Sequence, residues 1–486
     1  MRVSFVFRRN RDHRVHRTTY AAHVTADAPS ATAEAPAGGE DARLPEDERS
    51  GSPFTLAAAW AGVLLAPGTI ITGMVASGGS AGPGFAIGFA GLASGTVIGT
   101  LCVALISIWG PRTGMAQMPL GRLAFGALNV VPQVFLVASL VAYNALNDLF
   151  GVDALASSLG ISFLVALGAV VAIEVTVVIF GVRLMRILGM VISSVMLVVS
   201  AWLIIAARDL PPAPAPPGQA AFPVGLFLLA MGLGLSGSIS WTVQACDISR
   251  VLPPRTSPRK VFAWVFIGMT VPLLVLGGIG AYVANDAALN DPMARIDELL
   301  GGGVAAAIAL VALGTSLATA NAFNDFSAGL SLRQMGVPFP RIACSLMVTM
   351  CGLALALISR NTQLGQLTSD IVLFAGYYTA PWFGVVIVEL YLRRSEPRPW
   401  QIPADARRQA AIAFIVGFVL LLPFTATPLG NQLAADDPIP LGWLGWVSRD
   451  FLDGGDGAYL AGVVFGSLLY AVFRRIALGS RVLTSR

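Results

Sequence analysis

Ala66-Pro67-Gly68-Thr69-Ile70-Ile71-Thr72-Gly73 lies in the middle of an apolar stretch long enough to cross a bilayer, and Gly232-Leu233-Gly234-Leu235-Ser236-Gly237-Ser238-Ile239-Ser240 lies in the middle of another. Inside hydrocarbon an unpaired backbone N–H or C=O is costly, so irregular backbone at that depth is tolerated only where it lines a cavity. Each run sets helix breakers beside Thr or Ser at successive positions instead of along one helical face. The pattern predicts two helices broken at mid-membrane around a binding site.

The rest of the chain supports a membrane setting. Of its 486 residues 55% are hydrophobic and 12% charged, where soluble domains carry about a quarter charged residues; the mean hydropathy is +0.73. A helix needs about 20 apolar residues to span the hydrocarbon. Twelve segments meet that length, near 54–77, 83–108, 128–150, 160–181, 184–206, 222–247, 261–284, 303–333, 340–360, 368–392, 409–428 and 456–475, and are numbered spans 1 to 12. The expected fold class is therefore all-α and polytopic.

The breaks fall in spans 1 and 6, each opening a group of five, as in an inverted repeat with its site at the interface. The expected organisation is a disordered cytoplasmic tail over 1–52, spans 1–5 over 53–210, a Pro-rich outer linker at 211–221, spans 6–10 over 222–394, and spans 11–12 with a cytoplasmic tail over 395–486. Gly88, Gly91, Gly95 and Gly99 in span 2 recur on one face and suit close helix packing. Spans 11 and 12 stand outside the repeat as peripheral or oligomer-contact helices.

Positive charge is retained in cytoplasmic loops. With the N-terminus inside, only Arg208, Arg295, Arg360 and Arg449 of the 31 Lys and Arg fall outside. This predicts a cell membrane protein, inner or plasma, with both termini cytoplasmic and the bilayer as its main partner. The basic balance is a topology signal that needs no nucleic-acid partner. His13, His16 and His23 all sit in the tail, which leaves proton relays within the spans to carboxylates. The sequence has no P-loop and no His/Cys metal cluster, so neither an enzyme nor a bound cofactor is expected. An ion gradient, Na⁺ or H⁺, is the remaining drive.

Ionisable groups within spans are functional candidates. Asp325 in span 8 shares a face with Asn321 at i and i+4, with Asn324 beside it and Thr315, Ser316 and Thr319 one to two turns before. Tyr143 and Asn147 share a face of span 3 in the same way, an aromatic plate with an amide beside it, suited to a flat hydrogen-bonding ring. Asp148 next to them reads as closing span 3 near the outer face. Glu174 in span 4 reads as structural, with Arg183 two and a half turns along. Asp247 and Arg250 read as a clamp at the end of span 6.

Gly110-Pro111-Arg112-Thr113-Gly114, Arg122-Leu123-Ala124-Phe125-Gly126, Asp247-Ile248-Ser249-Arg250 and Asn324-Asp325-Phe326-Ser327-Ala328-Gly329-Leu330-Ser331-Leu332 follow one another at matching spans. On these motifs the chain resembles nucleobase:cation symporter family 1, the purine-cytosine permeases and their hydantoin and allantoin relatives, within the amino acid-polyamine-organocation superfamily. The resemblance implies a five-plus-five inverted repeat with two extra helices, alternating access, and uptake of a flat heterocycle with Na⁺ or H⁺. It implies that Tyr143 takes the place of a stacking Trp and Asn147 that of a Gln that bonds the ligand. Gly237, Ser238 and Ser240 then lie at the unwound turn of span 6, with Asn321, Asn324 and Asp325 completing the substrate site. Ser238 stands where relatives place an aromatic, so Trp241 or Phe323 would have to supply a second ring face.

By the same resemblance, Pro67, Gly68 and Ile70 of span 1 and Ser316, Thr319 and Ala320 of span 8 mark the cation site. Ala320 lacks the hydroxyl of sodium-coupled relatives, and Asp325 becomes the proton-coupling candidate. The implied substrate is a purine or cytosine. An allantoin, a hydantoin or a thiamine-precursor pyrimidine is the alternative, and a membrane sensor or assembly partner without transport is the reading from another class. Oligomeric state is open at this point.

Overall fold

The computed structural model describes residues 43–180, 182–220, 222–361, 371–396, 401, 407–426 and 443–484. Ten helices among them are long and apolar enough to cross a membrane, eleven with the bent pair Phe54–Leu64 and Pro67–Ser77 counted as one span. Arg408–Phe424, at the place of span 11, is a shorter apolar helix. The described residues form no strand, and the chain is a multi-pass membrane protein.

Span 1 breaks where proline requires it. Ala66 is extended, Pro67 takes the first position of the second half, where its missing N–H leaves no bond unmade, and the halves meet at 67°. The break thus lies at Leu65–Ala66, and Gly68 to Gly73 are helical. Span 6 departs further from expectation. Val224–Ile239 is continuous helix, and the irregularity is a 3-10 segment at Ser240–Gln244 before helix resumes at Ala245–Ser249.

The reason is that Gly232, Gly234 and Ser238 of the 232–240 run serve packing. Ser238 donates back to the Gly234 carbonyl at 2.7 Å, which leaves the helical amides undisturbed. A Cβ on Gly234 would run into the Leu92 carbonyl, one on Gly95 into the Met231 carbonyl and one on Gly99 into Ser238 Oγ. Spans 2 and 6 therefore touch backbone to backbone, the close approach that small residues permit. A second seam joins spans 1 and 7, where Gly73 meets the Gly277 carbonyl and Gly280 the Ile70 carbonyl.

These seams tie spans 1, 2, 6 and 7 into one group, while spans 3, 4, 8 and 9 pack into another. Spans 10 and 12 pack together, with span 11 against span 12. Their predicted cytoplasmic ends meet at Glu389, which is 1% exposed and bonds Arg393 at 2.7 Å, Arg474 at 3.2 Å, Tyr470 at 2.8 Å and Arg407. Outward faces carry Phe180, Val304 and Ile358, all largely exposed, as lipid contact requires.

Residues 1–42 of the expected disordered tail lie outside the described residues, as do its three histidines. Residues 43–52 are ordered, which corrects the tail's boundary. Leu44 N–H donates to the Gly114 carbonyl at 2.8 Å, Ser50 N–H to the Val251 carbonyl at 2.9 Å, and the buried Arg49 guanidinium to the Pro111 carbonyl at 3.0 Å. The segment is fixed because it fills the donor needs of two loops at once. The same place holds the expected clamp in altered form: Asp247 accepts from Gln117 N–H at 2.7 Å while the Gln117 side chain accepts from Cys246 N–H at 3.0 Å.

Candidate functional site

Span 3 presents two faces to the protein interior. On one, the half-buried Tyr143 directs its hydroxyl toward span 10, 3.5 Å from the Val372 carbonyl, with the hydroxyls of Ser236 and Ser240 of span 6 beside it. Ser236 is itself bonded to Val372, whereas the buried Ser240 Oγ has no protein partner. Gly376 keeps this corner open, since a Cβ there would press on Tyr459, Ser236 and Ser240. An aromatic plate with an uncommitted hydroxyl at its edge can stack on a flat ring and bond its rim.

Leu233, Gly237 and Trp241 recur every four residues on a different face of span 6. Leu233 lines a cavity of about 190 Å³ with Val75 and Ala76 of span 1, and the Trp241 ring packs edge-on to Trp60 of span 1 at 5.8 Å. Gly237, between them, would place a Cβ within 4 Å of nothing, and the same is true of Gly68 beside the span 1 break. Both glycines at the broken spans thus face open space. Ser238 points the other way, buried against span 2, so it lies off the Gly237 face and its side chain serves the helix seam. Phe323 is 43% exposed and turned outward, which leaves Trp241 as the second aromatic nearest the break.

The adjoining face of span 3 carries a network of amides and acids, with Asn147 at its edge on the Tyr143 side. Asn147 Nδ2 donates to Asn321 Oδ1 at 2.9 Å, and Asn321 Nδ2 donates to Asp148 Oδ1 at 2.8 Å and to the Asn144 carbonyl at 3.1 Å. Asn324 Nδ2 donates to Asn144 Oδ1 at 2.9 Å, and Asn144 Nδ2 to Asp325 Oδ1 at 2.7 Å. Thr349 of span 9 donates to the other Asp325 oxygen, and Ser345 to the Asp325 carbonyl at 2.8 Å. Asn321 and Asp325 are fully buried. Their polar atoms bind spans 3, 8 and 9 to one another, and Asn147 is where this network borders the Tyr143 side.

Asp148 requires a correction. Span 3 runs on to Leu159, well past the expected end at 150, so Asp148 lies within the helix and is 1% exposed. The helix continues because Val152, Ala154 and Leu155 bury their side chains in the core and no proline intervenes before Gly160, which ends it in the left-handed region. Spacing along one helix made Tyr143, Asn147, Asn321 and Asp325 visible. It could not assign Asn144, Thr349 or the Val372 carbonyl, whose partners lie on other helices.

The residues expected at a cation site lie on spans 1 and 8. Span 8 packs against the second half of span 1, which holds Pro67, Gly68 and Ile70. Ser316 and Thr319 are buried, and Thr319 donates back to the Thr315 carbonyl at 2.9 Å, keeping its lone pairs for another partner. Ala320 adds no side-chain oxygen. The Ile70 carbonyl lies against Gly280 of span 7.

Residues 43–436 match the family model for permeases for cytosine/purines, uracil, thiamine and allantoin. The chain belongs to this permease family. Among curated relatives, a putative purine-cytosine permease of Bacillus subtilis is 24% identical over 459 residues, covering 90% of this chain and 96% of the relative. A purine-cytosine permease of Saccharomyces cerevisiae is 24% identical over 270 residues, covering 51% of this chain and 49% of the relative.

The family member shares its fold with Mhp1, a nucleobase-cation-symport-1 family transporter. Against Mhp1 in a closed conformation with bromovinylhydantoin bound, the TM-score is 0.66 at 17% identity, covering 90% of this chain and 95% of the other. A manganese transporter of Eremococcus coleocola matches with a TM-score of 0.59 at 14% identity, covering 89% of this chain and 98% of that one. The fold is thus the transporter fold with five-plus-five repeat and broken first and sixth helices, and family and fold together point to a nucleobase-type membrane transporter and away from an enzyme.

Proposed function

We propose that this chain is a secondary active transporter that imports a nucleobase or related flat heterocycle of the purine/cytosine class by cation symport with alternating access. The observation that carries the reading is the Tyr143 plate beside the uncommitted Ser240 hydroxyl, next to two broken spans whose glycines, Gly68 and Gly237, face open space. A ring can stack on Tyr143 while Ser240 and Asn147 read its edge. Asn321, Asn324 and Asp325 then act chiefly by holding Asn147 and span 3 in place. Gly237 shapes the space, and Ser238 contributes through the span 2 seam.

The coupling ion is Na⁺ or H⁺. For sodium the oxygens come from Pro67, Gly68 and Ile70 carbonyls with Ser316 and Thr319, a sparse set given Ala320. For a proton the carboxylates of spans 3, 4 and 8 are the available carriers. The family description names uracil, thiamine and allantoin as well as cytosine and purines, which keeps an allantoin-like ureide or a thiamine-precursor pyrimidine as the second reading of the substrate. The proposed setting is the inner or plasma membrane with both termini cytoplasmic.

Proteoliposome uptake of labelled cytosine, adenine, hypoxanthine, uracil and allantoin, with Na⁺ and pH gradients imposed separately, tests this. Accumulation of one ring under one gradient is expected. Saturable binding without accumulation under either gradient would favour a sensor or assembly role instead.

A further inference from the structure

Glu174 lies midway along span 4, is 1% exposed, and neither carboxyl oxygen has a hydrogen-bond partner. A buried carboxylate in that condition would be an uncompensated charge, whereas a neutral carboxylic acid carries its own donor. The groups it faces are acids and an amide: Asp325 and Asn321 of span 8 and Asp148 of span 3. Asp325 already accepts from Asn144 and Thr349, and Asp148 accepts from Asn321. Each aspartate thus has donors to meet its oxygens, whereas Glu174 has none, so Glu174 is the member built to hold a proton.

Among the described residues, the groups that act on these three acids are one another, the Asn144 and Asn321 amides and the Thr349 hydroxyl. On span 9, Arg341 lies over the Phe326 ring at 4.5 Å, and Cys344 is bonded to the Phe339 carbonyl. The side chains of Arg183 and Arg186 on span 5 lie outside the described residues. Among the described residues no three acidic, His or Cys groups stand close enough to hold a metal ion.

We propose that Glu174 carries the coupling proton of this chain, sharing it with Asp325 and Asp148 in a site set apart from the Tyr143 plate and joined to it through Asn321 and Asn147. This rests on the transporter reading above. Loading forms one carboxyl O–H bond from an aqueous proton, and release to the opposite side breaks it. In between, the proton passes between Glu174 and Asp325, so the cluster changes by one charge and no other atom is exchanged. Ionisation of Glu174 sets a third negative charge against Asp148 and Asp325, which strains the Asn321 bonds that position Asn147.

Infrared spectroscopy of the purified full chain in nanodiscs, with and without cytosine, hypoxanthine or allantoin, tests the assignment. The wild type should show the carbonyl band of a protonated acid in apolar surroundings at neutral pH. Glu174→Gln should remove it, and Asp325→Asn should retain it. Proton uptake on ligand addition, followed by a dye in weak buffer, should fall at least tenfold in Glu174→Gln. If that variant does not fold, Glu174→Asp should shift the band. A band that survives Glu174→Gln or is unmoved in Glu174→Asp, or proton uptake equal to wild type in Glu174→Gln, would overturn the proposal. Absence of binding by any of the three rings would instead count against the transporter reading, with the band still deciding the protonation of Glu174.

Discussion

Tyr143 and Asn147 share a helix face, yet they do different work. Tyr143 offers a ring and makes only a long hydroxyl contact to Val372, 3.5 Å, whereas Asn147 is held by Asn321 at 2.9 Å. Tyr143→Ala should therefore weaken heterocycle binding by about 3- to 10-fold, the measure of an aromatic contact of about 0.5–1.5 kcal/mol, while Tyr143→Phe stays within about twofold. Calorimetric titration checks this, and equal losses in both variants would mean that the hydroxyl is what matters. Asn321→Ala removes partners from Asn147, Asp148 and the Asn144 carbonyl together. Each orphaned buried group costs about 1–3 kcal/mol, so this variant should melt well below wild type even where ligand contact is not lost. Side-chain spacing revealed these residues because i and i+4 positions coincide on one helix. Asp148 departs from its expected place for the complementary reason: its burial is set by how far its helix runs and by what a neighbouring helix presents, neither of which is written in local spacing.

At the scale of the element, proline and glycine carried different messages. Pro67 marked the span 1 break to within a residue or two, because its ring and missing N–H act on its own backbone. The glycines of 232–237 misdirected the position of the span 6 break, because glycine serves equally as helix breaker and as packing surface, and here Gly234 sits on the Leu92 carbonyl. The two uses can be separated by substitution. Gly95→Val drives a side chain into the Met231 carbonyl and should abolish folded protein on size-exclusion chromatography. Gly237→Ala meets nothing within 4 Å and should fold with nearly wild-type melting. Gly237→Trp should also fold but block heterocycle binding, since its ring enters the space between Leu233 and Trp241. Unimpaired binding in that variant would place the ligand elsewhere.

Across the whole molecule, the topology was legible because hydrophobic length and charge bias act over entire spans, and because four motif runs fall in order along the chain. What was not legible is how the ends are closed. Residues 43–52 read as tail from composition, yet Leu44, Arg49 and Ser50 fasten the 110–114 and 251 loops. At the opposite end Asp286, on the short helix Asp286–Asn290, accepts from Ser80 N–H at 2.8 Å, a bond that holds its carboxyl below the usual carboxylate range. Since the folded value is the lower one, this contact contributes at neutral pH and is lost as pH falls through that value. The protection factor of the Ser80 amide, its exchange rate relative to the intrinsic rate at each pH, should fall on acidification, and Asp286→Asn should flatten the dependence; a protection factor indifferent to pH in the wild type would contradict the link.

The glycine seams have a consequence for how this chain can change over generations. Spans 1, 2, 6 and 7 meet where backbone touches backbone, so their tolerance is set by volume: one added methyl at Gly95 or Gly280 is excluded whatever its chemistry. Spans 3, 8 and 9 meet through amides, acids and hydroxyls, so their tolerance is set by polarity, and a side chain of the right size but wrong hydrogen bonding fails there. A saturation map of viable substitutions would accordingly show two textures, one filtering by bulk and one by donor and acceptor count. Their border would trace the division between the two helix groups without any knowledge of the structure.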